Sequence, residues 1–200
     1  GDAMSRQMML TKLAEGLFDC HGFEDVIVSG LSTDSRSLNV GELFIAVQGL
    51  TAHGLSYLSE EQAQKAAVIL YEQSVPDNVK IPDNAIPVEG LKTKQAELAN
   101  RFFNSPSGEM AVIGVTGTNG KTSTVQMIAQ AVSALGKTAG TIGTLGAGLY
   151  GHLVAGERTT PDVIAVHRAL ADMRDEGAEL VAMEVSSHAL DQGRVEGVCF

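Results

Sequence analysis

Cysteine is almost absent from the chain: Cys20 and Cys199 are the two present in 200 residues. They stand in neither a metal-binding nor a redox spacing, which excludes a disulfide framework and a zinc module and suits a reducing cytoplasm. Basic residues are scarce too, with 14 Lys and Arg against 24 Asp and Glu, a formal net charge of −10. A general nucleic-acid binder needs a basic footprint, so that class is excluded. No apolar run approaches the ~18 residues of a membrane helix, and no charged-then-apolar segment marks a signal peptide. The expectation is a cytoplasmic protein without membrane insertion. Three of the five prolines crowd into residues 76–87, which argues for irregular chain there with one short strand at best. There is no internal repeat, and no convincing Ser–His–Asp or Cys–His set. What remains is ample apolar material, 44% of residues, enough to build one large domain or two small ones.

The strongest local signal is GVTGTNGKTST, residues 114–124. Val112, Ile113 and Val115 read as a buried strand. Val125, Ile128, Ala129, Val132 and Leu135 follow at helical spacing, with Gly136 as a stop. Gly117 to Lys121 therefore joins a strand to a helix N-terminus, where backbone N–H groups lack internal partners and suit an anion. Gly117 and Gly120 permit close backbone approach. Lys121 can reach outer phosphates, and Thr122 can place a hydroxyl on Mg²⁺. The general phosphate-loop pattern wants glycine at position 115, where this chain has valine. In so acidic a chain, attraction for an anionic ligand must be local, with Arg36, Lys121, Arg158 and Arg194 as candidates.

Along the chain the pattern predicts a helix over 8–18, a strand at 42–47, a polar helix near 59–66, a strand at 66–72 and a helix over 91–103. NSPSGE, residues 104–109, is turn-rich and makes the best domain boundary. Beyond it the rhythm is strand 111–115, helix 121–135, strand 138–144, helix 162–176 and strand 179–185. That alternation argues for an α/β fold with a parallel sheet under covering helices. Gly1, Asp2 and Ala3, before Met4, read as a cloning remnant. Val198–Phe200 read as the start of another strand, so the expectation is a longer protein.

Other segments leave two readings each. Glu184, near the C-terminal end of its strand, either holds Mg²⁺ or caps the next helix. Ser186 and Ser187 cap that helix or bind substrate oxygens, and His188 is either functional or a polar core residue. ERTTPD, residues 157–162, starts a helix with Pro161 in its first turn, or offers Thr159 and Thr160 to a ligand. In STDSR, residues 32–36, Asp34 and Ser35 suit a turn, while Arg36 meets a phosphate or a surface carboxylate. QGLTAHG, residues 48–54, can simply reverse the chain.

Taken together, GTNGKT, TTPD and MEVSSHAL-x-x-x-R, behind an N-terminal STDSR…GELFIAVQG…HG, resemble the Mur ligases from about residue 25 to 200. That family characteristically uses the shorter G-T-N-G-K-[TS] loop, which accommodates Val115. The resemblance implies a small N-terminal α/β substrate-binding domain over 1–105. After it would come the first part of a mostly parallel phosphate-loop ATPase sheet over 106–200, with a further C-terminal domain absent. It implies ATP-dependent amide ligation in peptidoglycan synthesis. The third amino acid, meso-diaminopimelate or L-lysine, would join UDP-N-acetylmuramoyl-L-alanyl-D-glutamate through an acyl phosphate. Gly117, Thr118, Asn119, Gly120, Lys121, Thr122 and Ser123 would hold ATP. Thr122 and Glu184 would hold Mg²⁺, with Lys121 and Glu184 catalytic. Ser35, Leu50, Thr51, Ala52, Thr159, Thr160, Ser186 and Arg194 would bind the UDP-muramoyl dipeptide. A monomer is the family's default, and the 200 residues alone are expected to bind without completing the reaction. Alternatives are the related ligase that adds D-Ala-D-Ala, folylpolyglutamate synthase, a phosphate-loop switch or kinase, and a non-enzymatic UDP-sugar-binding module.

Overall fold

The structure, a computed structural model, describes residues 6–155 and 162–200. The chain divides into two compact units, Gly1–Phe102 and Phe103–Phe200. In the first unit, strand β1 (Met8–Met9) leads directly into helix α1 (Leu10–Ala14), and β1 pairs antiparallel with β2 (Ile27–Val28). The helix expected over 8–18 is thus shorter. Met8 and Met9 are drawn into strand pairing, and Leu10 and Leu13 alone of its apolar set are fully buried.

The rest of the unit is a parallel sheet of β3 (Leu31–Ser32), β4 (Leu43–Ala46), β5 (Val68–Tyr71) and β6 (Ala85–Pro87), in that order. Helix α2 (Glu60–Lys65) crosses between β4 and β5. It starts on a capping box in which the Ser59 hydroxyl accepts from Gln62 N–H while the Gln62 side chain takes the Ser59 N–H. Every residue of β4 is buried, which explains its unbroken apolar run: a parallel strand covered on both faces has no polar side. Helix α3 (Leu91–Phe103) occupies the range its sequence suggested. It is tied back to the N-terminal segment by Arg101, whose guanidinium donates to the Leu13 carbonyl at 2.9 Å.

The second unit holds β7 (Ala111–Val115), α4 (Lys121–Ala134), β8 (Ala139–Gly143), β9 (Gly146–Leu149), α5 (Val163–Asp175), β10 (Leu180–Glu184) and α6 (Ser187–Asp191). The sheet order is β7–β10–β8–β9. The first three strands are parallel, and β9 turns back antiparallel on β8. The hairpin strand β9 has no counterpart in the sequence reading, because its residues are Gly-Ala-Gly-Leu and carry no strand-like alternation. On α5, Val163, Val166, Leu170 and Met173 are all buried, as their spacing indicates, and most of them pack with Val112, Ile142, Val181 and Met183 of the sheet. Burying side chains of this size contributes roughly 1.5–3 kcal/mol each.

Two local expectations are corrected. Val112 is buried in β7 but Ile113 is 38% exposed, since β7 pairs with β10 alone among the described strands and lies at the sheet edge. Val198–Phe200 form no strand: they are irregular, and the Phe200 ring lies against Gly114, where no Cβ stands in its way.

Candidate functional site

The strand order brings together three segments far apart in sequence. β10 sits between β7 and β8, with Glu184 level with Val115 and Met183 level with Ile142. Because all three strands run the same way, their C-terminal ends share one edge. The glycine-rich loop leaves β7 there, Gly143 ends β8 there, and Glu184 ends β10 there. Ligands of open parallel sheets bind at such an edge, where a loop and a helix N-terminus converge.

The loop has the backbone that its glycines allow. Gly117 adopts φ +137° and Gly120 φ +79°, both in the region that favours glycine, and Gly120 is the residue from which α4 starts. Gly120 has no side chain with which to cap α4, and the first N–H groups of the helix suit an anion. Thr118, Asn119 and Ser123 are exposed along the same stretch. The Lys121 ammonium folds back over the loop and donates to the Gly117 carbonyl.

Next to the lysine is a cluster of oxygens. Thr122 Oγ1 donates to Glu184 Oε1 at 2.8 Å. The other carboxylate oxygen, Oε2, accepts the Thr144 backbone N–H at 2.8 Å. Thr144 Oγ1 stands 3.0 Å from Thr122 Oγ1. Glu184 therefore does not cap α6. That role falls to Ser186, whose Oγ accepts from Ala189 N–H at 3.0 Å. Thr144 was missed in the sequence reading. Its signal, a polar residue just past the end of a strand, is legible only once β8 is known to lie beside β10. Gly143 was missed too: a Cβ there would run into the Glu184 carboxylate.

A pocket opens beside this cluster, lined in part by Lys121, Thr144, Glu184, Ser186 and Arg194. Arg194 belongs to the turn after α6, which His167 anchors from α5: its Nε2 lies 2.7 Å from the Glu196 carbonyl. His167 is fully buried, and its Nδ1 has no hydrogen-bond partner among the described residues. Burial pushes its pKa below the ordinary histidine value, partly offset by the Glu196 bond. His188, in contrast, is exposed and paired with Gln192 at 2.9 Å, so it is no core residue. Thr159 and Thr160, with Arg158 and Pro161, lie outside the described residues; Asp162 caps α5 by accepting from Ala165 N–H at 2.8 Å.

In the first unit, Asp34 caps the 3₁₀ turn Ser35–Ser37, and Arg36 pairs with Asp34 at 2.8 Å, the surface-carboxylate outcome. Ser35 gives its carbonyl to Gln62 Nε2 at 3.0 Å. Leu50, Thr51 and Ala52 form the tip of a reversal closed by Gln48 and His53, with Leu50 fully exposed. His53 is buried and holds that reversal through Leu55 N–H and the Glu72 carbonyl.

A helix-opening glycine loop with a lysine, set against a hydroxyl and a carboxylate on a parallel sheet edge, is an arrangement that nucleotide-phosphate-binding proteins share. Residues 115–200 match the Mur ligase middle domain. The chain is 51% identical over 195 residues to the UDP-N-acetylmuramoyl-L-alanyl-D-glutamate–2,6-diaminopimelate ligase of Xylella fastidiosa (strain 9a5c), covering 98% of this chain and 39% of that protein. It is 52% identical over 197 residues to the ligase of the same name from Xanthomonas campestris pv. campestris (strain 8004), with 98% and 39% covered. A solved structure of a ligase so named superposes with a TM-score of 0.75 at 25% identity, over 97% of this chain and 38% of that one. Residues 115–200 form a Mur ligase middle domain, and the chain spans about two fifths of the length of the relatives it matches.

Proposed function

We propose that this chain forms the UDP-substrate-binding and nucleotide-binding portion of an ATP-dependent amide ligase. That ligase joins a diamino acid, meso-diaminopimelate, to UDP-N-acetylmuramoyl-L-alanyl-D-glutamate in peptidoglycan synthesis. The observation that carries the reading is the Lys121 loop facing the Thr122–Glu184 pair, within a chain half identical along nearly its whole length to ligases of that name. In this reading the first unit takes the uridine end through Ser35 and the Leu50–Ala52 turn. Thr159, Thr160, Ser186 and Arg194 take the muramoyl dipeptide.

The chemistry is what the family resemblance implies, and the groups present suit it. The terminal carboxylate of the dipeptide attacks the γ-phosphorus of ATP, ADP leaves, and an acyl phosphate forms. The amine of the diamino acid then attacks that carbonyl, loses a proton, and phosphate leaves with the C–O bond electrons. Phosphoryl transfer calls for positioning and charge neutralisation rather than a protein nucleophile. Lys121, the loop amides and Arg194 are groups of that kind. A hydroxyl and a carboxylate oxygen 2.8 Å apart are hard donors that fit Mg²⁺. Thr122 and Glu184 would hold the ion, which supplies neutralisation of the phosphate charge when bound.

The test follows phosphate release by the gene product that contains this sequence, with ATP, Mg²⁺ and UDP-N-acetylmuramoyl-L-alanyl-D-glutamate. Meso-diaminopimelate and L-lysine are added in separate reactions. Release that depends on meso-diaminopimelate is expected. Release with L-lysine alone would reassign the amino acid, and no release with either would remove the ligase reading.

A further inference from the structure

We propose that Thr144 is a positioning residue of the cation site, fixing Thr122 and Glu184 in the arrangement that takes up Mg²⁺; this rests on the nucleotide reading above. The argument is an inventory of protons. A threonine hydroxyl has one proton to give and two lone pairs, and an ionised carboxylate can only accept. The single proton of Thr122 goes to Glu184 Oε1 at 2.8 Å. The Thr144 hydroxyl stands 3.0 Å from Thr122 Oγ1 and 3.5 Å from Glu184 Oε2. The first distance is within the ordinary O–H···O range and the second is beyond it. Since Thr122 has already given its proton, Thr144 is the donor between the two hydroxyls.

The consequence is directional. Thr144 occupies one lone pair of Thr122 and leaves the other for a cation, while the Thr122 O–H stays directed at the carboxylate. The Thr144 backbone N–H holds the second carboxylate oxygen at 2.8 Å, so Glu184 is gripped at both oxygens, from α4 and from the end of β8. Gly143 leaves room for that grip, because any side chain there would occupy the place of the carboxylate. Thr144 thus acts on the site without being one of the residues assigned to the ion.

Valine keeps the shape and the backbone N–H of residue 144 and removes the hydroxyl. The experiment measures ATP binding to the 200-residue chain by equilibrium dialysis across a Mg²⁺ titration, for wild type, Thr144→Val and Thr144→Ser. With Thr144→Val, the Mg²⁺ concentration at half-effect rises about tenfold, the size expected for one hydrogen bond feeding a charged group. The Mg²⁺ dependence moves more than the affinity measured without Mg²⁺, and Thr144→Ser recovers most of the loss. A wild-type Mg²⁺ dependence in Thr144→Val overturns the proposal. So does a serine variant as weak as the valine one, or an equal loss with and without Mg²⁺, which would mark a merely structural residue. If Thr144→Val does not fold, as read from its thermal transition, Thr144→Ala is judged by the same criteria. Wild type that binds no ATP at any Mg²⁺ concentration removes the nucleotide reading itself, and is seen before any variant is compared.

Discussion

Replacing Gly143 by alanine isolates the packing of the site from its chemistry. A Cβ on residue 143 would meet the Glu184 Cδ at 2.7 Å and Cγ at 3.0 Å, with a carboxylate oxygen closer still. The carboxylate must swing away, and it loses the hydrogen bonds from Thr122 and Thr144, both 2.8 Å. At about 1 kcal/mol net for each bond, the expected cost is about 2 kcal/mol. Native-state hydrogen exchange of the β8 and β10 amides reads that cost within the second unit. The control is the same substitution made in a Glu184→Ala background. With the carboxylate gone, the methyl group has room, and alanine in a strand is favoured over glycine by roughly 0.5–1 kcal/mol. Gly143→Ala should therefore change sign, from destabilising to neutral or stabilising. An equal cost of about 2 kcal/mol in both backgrounds would show that the clash with Glu184 is not what glycine avoids at this position.

Lys121→Met should weaken ATP binding about ten- to hundredfold, the loss of one charge-assisted contact, measured by the same dialysis. His167 gives a pH signature. Its pKa is lowered in the folded chain by burial, so the folded state favours the neutral ring. Its contribution is complete above the unfolded value of about 6.5 and is lost as pH falls from there toward the lower folded value; His167→Gln should flatten that part of the stability–pH curve. In the first unit, Gly54→Ala would bring a Cβ to 2.8 Å from the Ala46 Cα, a backbone atom that cannot step aside. A loss of about 1–3 kcal/mol is expected from β4 and β5 amide exchange. Asp162→Ala removes the side-chain cap of α5 and should cost about 1 kcal/mol, seen as faster exchange at the Ala165 amide.

What was legible in the sequence follows the range of the forces involved. The loop after β7 could be read because everything that makes it is local: a strand, two glycines, a lysine and a helix with its own periodicity. The long helices α3, α4 and α5 could be read for the same reason, since a 3.6-residue repeat over a dozen residues declares itself. Elements that depend on a distant partner were less legible. Helix α1 loses its first two expected residues to a strand pairing with residues 27–28, and β9 exists because β8 is there to pair with, not because Gly-Ala-Gly-Leu favours a strand. On α4 the apolar spacing was right for the helix but not for burial. Val125 and Ala129 are covered, while Leu135 stands 78% exposed, because a repeat shows which residues share a face but not how far a neighbour extends over it.

The site itself divides along the same line. Glu184 could be singled out from its place at the end of an apolar run, with ion holding the favoured reading and a helix cap the alternative. Strand order removes the cap. With β10 between β7 and β8, the carboxylate faces Thr122 on one side and the Thr144 amide on the other, and both its oxygens are engaged before the α6 amides come within reach. The cap is then left to Ser186. Gly143 and Thr144 carry no signal of their own, since a glycine and a threonine after a strand are what many turns contain. They acquire a role only from a carboxylate 40 residues away in sequence. The same reasoning makes the Gly143→Ala and Thr144→Val variants complementary. One displaces Glu184 by volume and the other loosens Thr122 by removing a proton. If the strand edge works as a unit, both must shift the Mg²⁺ dependence of ATP binding in the same direction.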